Sequence, residues 1–174
     1  MAFIRGKRGR KSPCSEDRSG REHRPDAREK AMNLLLYRPR SEYELRTRLS
    51  DAGYSPDETE DALDYVKGYG YVNDRRFAEN YARSRQDSVS RRVISMELRE
   101  KGVDSSLISD ALEELDMPEE EVLERLLMKK AGQPHRMEEK ELRRLYGFLA
   151  RKGFSGGAIR RAVCCYEEEA EAAT

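Results

Sequence analysis

The sequence predicts an all-α protein made of three tandem three-helix repeats, helix-turn-helix-like units that form an elongated, curved rod. Three observations carry this expectation. A unit recurs at Leu49–Leu63, Leu98–Leu112 and Leu149–Val163, with glycines at 53, 102 and 153 spaced by 49 and 51 residues. Apolar residues fall at helical spacings, and no segment alternates as a strand would. The chain is 37% hydrophobic and 39% charged over 174 residues, without tryptophan. That is too few apolar groups for one large core, so small bundles wrapped in charge fit better.

Within the recurring unit each position has a physical task. Leu49, Leu98 or Leu149 stands four residues before the glycine, and Tyr54, Val103 or Phe154 follows it. The glycine ends a helix in the left-handed conformation, and the apolar residue after it packs back on the last turn. Ser55, Asp104 or Ser155 then caps the next helix. Nine residues past the glycine come Ala62, Ala111 and Ala162, followed by Leu63, Leu112 and Val163.

The elements follow in order. Residues 1–26 form a basic tail, disordered by composition, with eight basic and four acidic groups. Repeat 1 (27–72) opens with a helix from Ala27 to Tyr37 that turns Ala31, Leu34 and Leu35 inward. Pro39 breaks it. A capping box of Ser41 and Glu44 starts the next helix, and Ser55, Pro56 and Glu58 start the third.

Repeat 2 (73–115) opens with a helix from Arg75 to Gln86, capped by Asn73 or Asp74, with Phe77, Ala78, Tyr81 and Ala82 on one face. Repeat 3 (116–168) opens with a helix from Pro118 to Ala131, capped by Asp116, with Val122, Leu123, Leu126 and Leu127 inward. An acidic C-terminal end (169–174) closes the chain. Nine helices are expected.

Composition and motifs exclude several classes. There is no apolar run of about 20 residues, so no membrane span is expected. The start of the chain lacks the apolar region of a secretory signal. Cys14, Cys164 and Cys165 make no disulfide framework, and His23 and His135 have no metal-ligand spacing with them. A reduced, cytoplasmic setting follows. No phosphate loop, HExxH or nucleophile elbow is present, so the expectation is a protein that is not an enzyme, with no cofactor and no metal.

The candidate binding residues are a basic series in repeat 2: Arg75, Arg76, Arg83, Arg85, Arg91, Arg92, Arg99 and Lys101. Residues 75–101 carry eight basic groups against four acidic ones, inside a chain of net charge zero. Local patches set the local field, so a neutral total does not exclude an anionic partner. Arg76, Arg83 and Arg99 are expected to share a face suited to phosphates or carboxylates. The plainer reading is a solvated helix surface. Basic groups that open a helix, as Arg75, Arg76, Arg91 and Arg92 do, oppose its dipole and favour another reason for being there. Tyr54, Tyr65, Tyr69 and Tyr71 are expected to pack between repeats 1 and 2 rather than to form a partner surface.

The order of these motifs resembles the RecX family of recombinase regulators. The resemblance runs through Arg38-Pro-Arg-Ser-Glu-Tyr-Glu-Leu45, Gly53-Tyr54, Gly70-Tyr71-Val72-Asn73-Asp74 and Arg76-Phe77-Ala78. It continues through Ala82-Arg83-Ser84-Arg85, Arg92-Val93-Ile94 and Glu97-Leu98-Arg99-Glu100-Lys101-Gly102-Val103, with Arg151-Lys152-Gly153-Phe154 in the last unit. It covers about residues 28–165. Where the family usually has glycine before the second helix of the middle unit, this chain has Asp87-Ser88-Val89-Ser90, and Asn73 stands where Asp is common.

The resemblance implies a non-enzymatic regulator that binds the RecA–single-stranded DNA filament. It implies suppression of ATP hydrolysis, strand exchange and co-protease activity, and so modulation of recombination, DNA repair and the SOS response. The implied partners are the RecA filament and, by indirect or weak direct contact, single-stranded DNA, with the regulator a monomer. The alternatives are a stand-alone helix-turn-helix-like DNA-binding protein and a helical scaffold for another protein.

Overall fold

The computed structural model describes residues 25–172, which form nine helices and no strand. They are α1 (Ala27–Tyr37), α2 (Glu42–Asp51), α3 (Pro56–Gly68), α4 (Asp74–Arg85), α5 (Arg91–Glu100), α6 (Ser105–Glu113), α7 (Glu119–Ala131), α8 (Glu139–Arg151) and α9 (Gly156–Ala172). Except for Pro25 and Asp26, the expected tail lies outside the described residues. The acidic stretch after residue 168 is not a separate end: α9 continues through it to Ala172.

Each triplet closes on its own core. Ala31, Leu45, Leu49, Leu63 and Val66 fill the first; Phe77, Ala78, Ile94, Leu98 and Ile108 the second; Leu123, Leu127, Leu145, Leu149 and Ile159 the third. Helix packing is concentrated within each triplet, α1 and α2 with α3, α4 and α5 with α6, α7 and α8 with α9. This is the architecture of a repeat protein, in which each unit has its own core and touches only its neighbours in the row.

The corner after the middle helix is the same hydrogen-bonded device in every unit. The N–H of Tyr54, Val103 or Phe154 donates to the carbonyl of Leu49, Leu98 or Leu149, at 3.2, 3.1 and 3.3 Å. Gly53, Gly102 and Gly153 sit between at φ 82°, 73° and 91°. This is the Schellman closure. It sends the apolar residue back under its helix, and Tyr54, Val103 and Phe154 are all buried. The pattern also ends α3, where Tyr71 N–H reaches Val66 O at 2.9 Å with Gly70 at φ 72°.

The caps follow the sequence with two corrections. Ser55 and Glu58 complete a capping box, and Asn73 rather than Asp74 caps α4. Ser41 accepts from Glu44 N–H, but the Glu44 carboxylate does not return to Ser41, because Lys101 of the next unit draws it away at 3.0 Å. Asp116 does not cap α7: Pro118 occupies the cap position, with no side-chain bond there. The charge of Glu119, Glu120 and Glu121 in the first turn suits the helix dipole instead.

The units meet through the ends of their middle helices. Fully buried Ser41, at the start of α2, donates its hydroxyl to Lys101 O at the end of α5, at 2.5 Å. Fully buried Ser90, at the start of α5, donates its N–H to Lys152 O at the end of α8, at 2.9 Å. The donor-rich start of one middle helix thus satisfies the exposed carbonyls ending the next. A Cβ on Gly102 would overlap Tyr43, and one on Gly153 would overlap Ser90 and Val93. These two glycines serve their corner and the approach of the preceding unit together.

Candidate partner-binding surface

Two faces of α4 explain the fate of its arginines. Phe77, Ala78 and Ala82 turn inward, so Arg76 and Arg83, seven residues apart, share the solvent side. Arg75 lies nearer α6, pairs with Glu79 at 3.2 Å and stands 3.8 Å from Glu114. Arg83 reaches Glu114 at 3.5 Å. Arg85 grips Glu97 with both Nε and Nη2, at 3.0 and 2.7 Å, and Tyr81 donates to the same carboxylate at 2.9 Å. Burial alone would raise the Glu97 carboxyl. The bonds from Arg85 and Tyr81 reverse this and leave it below the ordinary range.

Arg91 and Lys101 also face the protein. Arg91 donates to Leu115 O and Met117 O, at 3.4 and 3.2 Å, closing the end of α6. Lys101 binds Glu44 and lies 5.3 Å from the centre of the Tyr81 ring. Burial would raise Glu44, and Lys101, with Arg38 and Arg40, holds it below its ordinary value. Arg75, Arg83, Arg85, Arg91 and Lys101 are therefore engaged inside the chain. Arg76, Arg92 and Arg99 are exposed and form no ion pair among the described residues. Arg92 and Arg99 lie seven residues apart on α5 with half-exposed Met96 between them, so Arg99 lines up with Arg92.

The structure adds a site that residue types alone did not suggest. A cleft of about 200 Å³ lies where units 1 and 2 meet, lined by Arg40, Tyr71, Asn73, Arg76 and Asn80. Arg40 Nε donates to Leu34 O at 3.3 Å, while its Nη1 is buried without a hydrogen-bond partner. Burial, then the charge of Arg38, pulls the Arg40 pKa down. Two guanidiniums thus border one recess, that of Arg76 on an exposed residue and that of Arg40 partly buried. The motif stretches Arg38–Leu45 and Gly70–Ala78, separate in sequence, converge here.

The tyrosines depart from the packing role expected of them. Only Tyr54 is buried, with its hydroxyl donating to Pro25 O at 2.6 Å. Tyr65, Tyr69 and Tyr71 are 37%, 65% and 55% exposed and touch in series: Tyr65 and Tyr69 are tilted at 56° with centroids 4.9 Å apart, and Tyr69 and Tyr71 stack at 6.0 Å. For Tyr71 the turn at Gly70 is the cause: it drops Val72 into the core and leaves Tyr71 outside. An exposed aromatic edge therefore meets the arginine cleft at Tyr71. Leu36 and Tyr37, 79% and 91% exposed, add apolar surface to unit 1.

Among the described residues, no group of His, Cys, Asp and Glu is arranged to hold a metal ion, and no helix is long and apolar enough to cross a membrane. Cys164 and Cys165 are exposed free thiols. His135 lies 3.2 Å from Glu141 and 3.1 Å from the Tyr166 hydroxyl, in a contact that fastens α9 to the α7–α8 connection.

Comparison with known proteins matches each unit separately. Residues 27–65, 73–112 and 118–163 match the first, second and third three-helix domains of RecX. The chain is 37% identical over 150 residues to the regulatory protein RecX of Corynebacterium efficiens, covering 81% of this chain and 71% of that protein. It is 39% identical over 135 residues to that of Amycolatopsis mediterranei, covering 75% and 77%. It is 36% identical over 150 residues to that of Streptomyces coelicolor, covering 83% and 80%. The fold is similar to the crystal structure of RecX from Lactobacillus salivarius, with a TM-score of 0.66 at 24% identity over 81% of this chain and 94% of that one.

Proposed function

The chain belongs to the RecX family, and from that premise we propose that it is a non-enzymatic regulator of the RecA recombinase. It binds the RecA filament on single-stranded DNA and lowers its ATP hydrolysis, strand exchange and co-protease activity. Recombination, repair and the SOS response are thereby modulated. The protein acts as a monomer in the cytoplasm.

The observation that carries this reading is the linear series of three units with unneutralised arginines at and beyond the first junction. A filament repeats its surface along its length, and a series of units can touch successive protomers. Several modest contacts then combine into a high effective affinity. Arg40 and Arg76 in the junction cleft, with Arg92 and Arg99 on α5, meet acidic protein surface or phosphate. Arg75, Arg83, Arg85, Arg91 and Lys101 instead hold the shape of unit 2 and its seat on unit 1. The alternative of a stand-alone duplex reader is weakened by Arg91, which turns to backbone carbonyls.

Co-sedimentation with RecA filaments assembled on a homopolymeric single strand tests the proposal. The protein should pellet with filaments, and Arg76→Glu combined with Arg40→Gln should weaken retention by about tenfold or more. Wild-type protein left in the supernatant would remove the reading.

A further inference from the structure

Unit 3, like unit 2, carries exposed cations that form no ion pair among the described residues. Two adjoining clefts, of about 400 and 350 Å³, share Lys130 and Arg144. On α8, Lys140, Arg144 and Arg151 fall on one face, four and seven residues apart. Lys130, in the last turn of α7, faces them across both clefts. All four cations are exposed and form no ion pair among the described residues. Arg143 is held by Glu139 at 2.6 Å. The first cleft also contains Glu138 and Glu141, the latter beside His135; the second is lined by no carboxylate.

Gly147 lies in the middle of α8, between Arg144 and Arg151, and forms part of the second cleft. A mid-helix glycine is unfavourable relative to alanine. Neither backbone nor packing demands one here: the nearest atom to an added Cβ would be Arg151 Nη1, at 3.5 Å, an ordinary contact. What its missing side chain does provide is room for the Arg151 guanidinium to lie against the helix at the edge of the cleft.

We propose that this cleft is a binding site for the sugar–phosphate backbone of a single nucleic-acid strand. The cations rise by about 6 Å and then about 10 Å along α8, a ladder on the scale of successive and alternate phosphates. The apolar anchor of a protein interface is lacking. Phe148, the one aromatic group of the second cleft, has the amines of Lys130 and Lys152 at 5.7 and 5.8 Å from its ring centre. Those amines occupy the place where a base or a partner side chain would stack. Recognition is therefore of phosphate and independent of base sequence. The site goes beyond the RecA reading, because it needs no recombinase.

The test is fluorescence anisotropy of the full chain with a labelled oligothymidylate, without RecA, across a series of salt concentrations. Each phosphate contact steepens the logarithmic salt dependence by about 0.7 for a single strand. Lys130→Gln combined with Arg144→Gln and Arg151→Gln should make the slope shallower by about 2 and weaken binding by tenfold or more. Gly147→Gln should keep the helix, fill the cleft and weaken binding several-fold. An unchanged slope and affinity in the triple variant, with wild-type helix content by circular dichroism, would overturn the site. So would equal or tighter binding of a duplex of the same length, or displacement of the strand by polyglutamate as readily as by polyphosphate. A strand-binding failure with RecA co-sedimentation intact rejects this site alone; the reverse result rejects only the RecA reading.

Discussion

The Ser41 hydroxyl donates to the Lys101 carbonyl across sixty residues of sequence, joining the start of one middle helix to the end of the next. The same hydroxyl oxygen accepts from Glu44 N–H at 3.1 Å. One fully buried atom therefore caps its own helix and seats the neighbouring unit. Ser41→Ala removes both bonds and leaves buried partners unsatisfied. The expected loss is about 1–3 kcal/mol, read from the urea midpoint. A loss below about 0.5 kcal/mol would contradict this double role.

Gly102 and Gly70 separate conformational strain from steric contact. Both have positive φ, 73° and 72°, but an added Cβ at Gly70 meets no atom within 4 Å, whereas at Gly102 it overlaps Tyr43. Gly70→Ala should cost about 1–2 kcal/mol, from the left-handed backbone alone. Gly102→Ala should cost at least about 1–2 kcal/mol more, because the preceding unit must move. Equal losses in parallel denaturant titrations would show that the junction yields freely.

The Glu44–Lys101 pair gives stability a pH dependence. The Glu44 carboxyl is depressed in the folded chain, so its contribution is complete above the unfolded value of about 4.3 and is lost as pH falls through the lower folded value. Glu44→Gln should cost about 1 kcal/mol at pH 7. The gap between wild type and variant should stay constant above about pH 5.5 and close below about pH 4. A gap that widens on acidification would reverse the assignment.

The arginines of unit 2 should divide into two groups. Arg85→Ala breaks the two-pronged grip on Glu97 and should cost about 0.5–1 kcal/mol, a modest figure because solvent screens a pair this exposed. Arg92→Ala and Arg99→Ala should each fall within about 0.5 kcal/mol of wild type, while weakening retention on RecA filaments. Thermal denaturation and co-sedimentation on the same variants read the two effects separately.

Much of this fold was legible in the sequence. The Leu–Gly–apolar–cap unit marked each corner, because the closure after a helix depends on residues within a few positions of one another. Helix limits for α1, α4 and α7 lie within one residue of expectation for the same reason. The junctions were not legible, since Ser41 meets Lys101 and Asp74 accepts from Glu42 N–H only after the units are seated. Nor did composition distinguish engaged from free arginines. Arg85 and Arg76 look alike on paper, and what separates them is where Glu97 comes to lie. The exposure of Tyr71 was not legible either, because Gly70 closes a helix of its own and reverses which neighbour faces the core.

The most direct test of regulation is the single-stranded-DNA-dependent ATPase of the cognate RecA, followed while this protein is titrated in. Hydrolysis is expected to fall as the protein is added, with Arg76→Glu requiring at least about tenfold more protein for the same effect. Unchanged hydrolysis, with filaments intact by electron microscopy, would contradict the account.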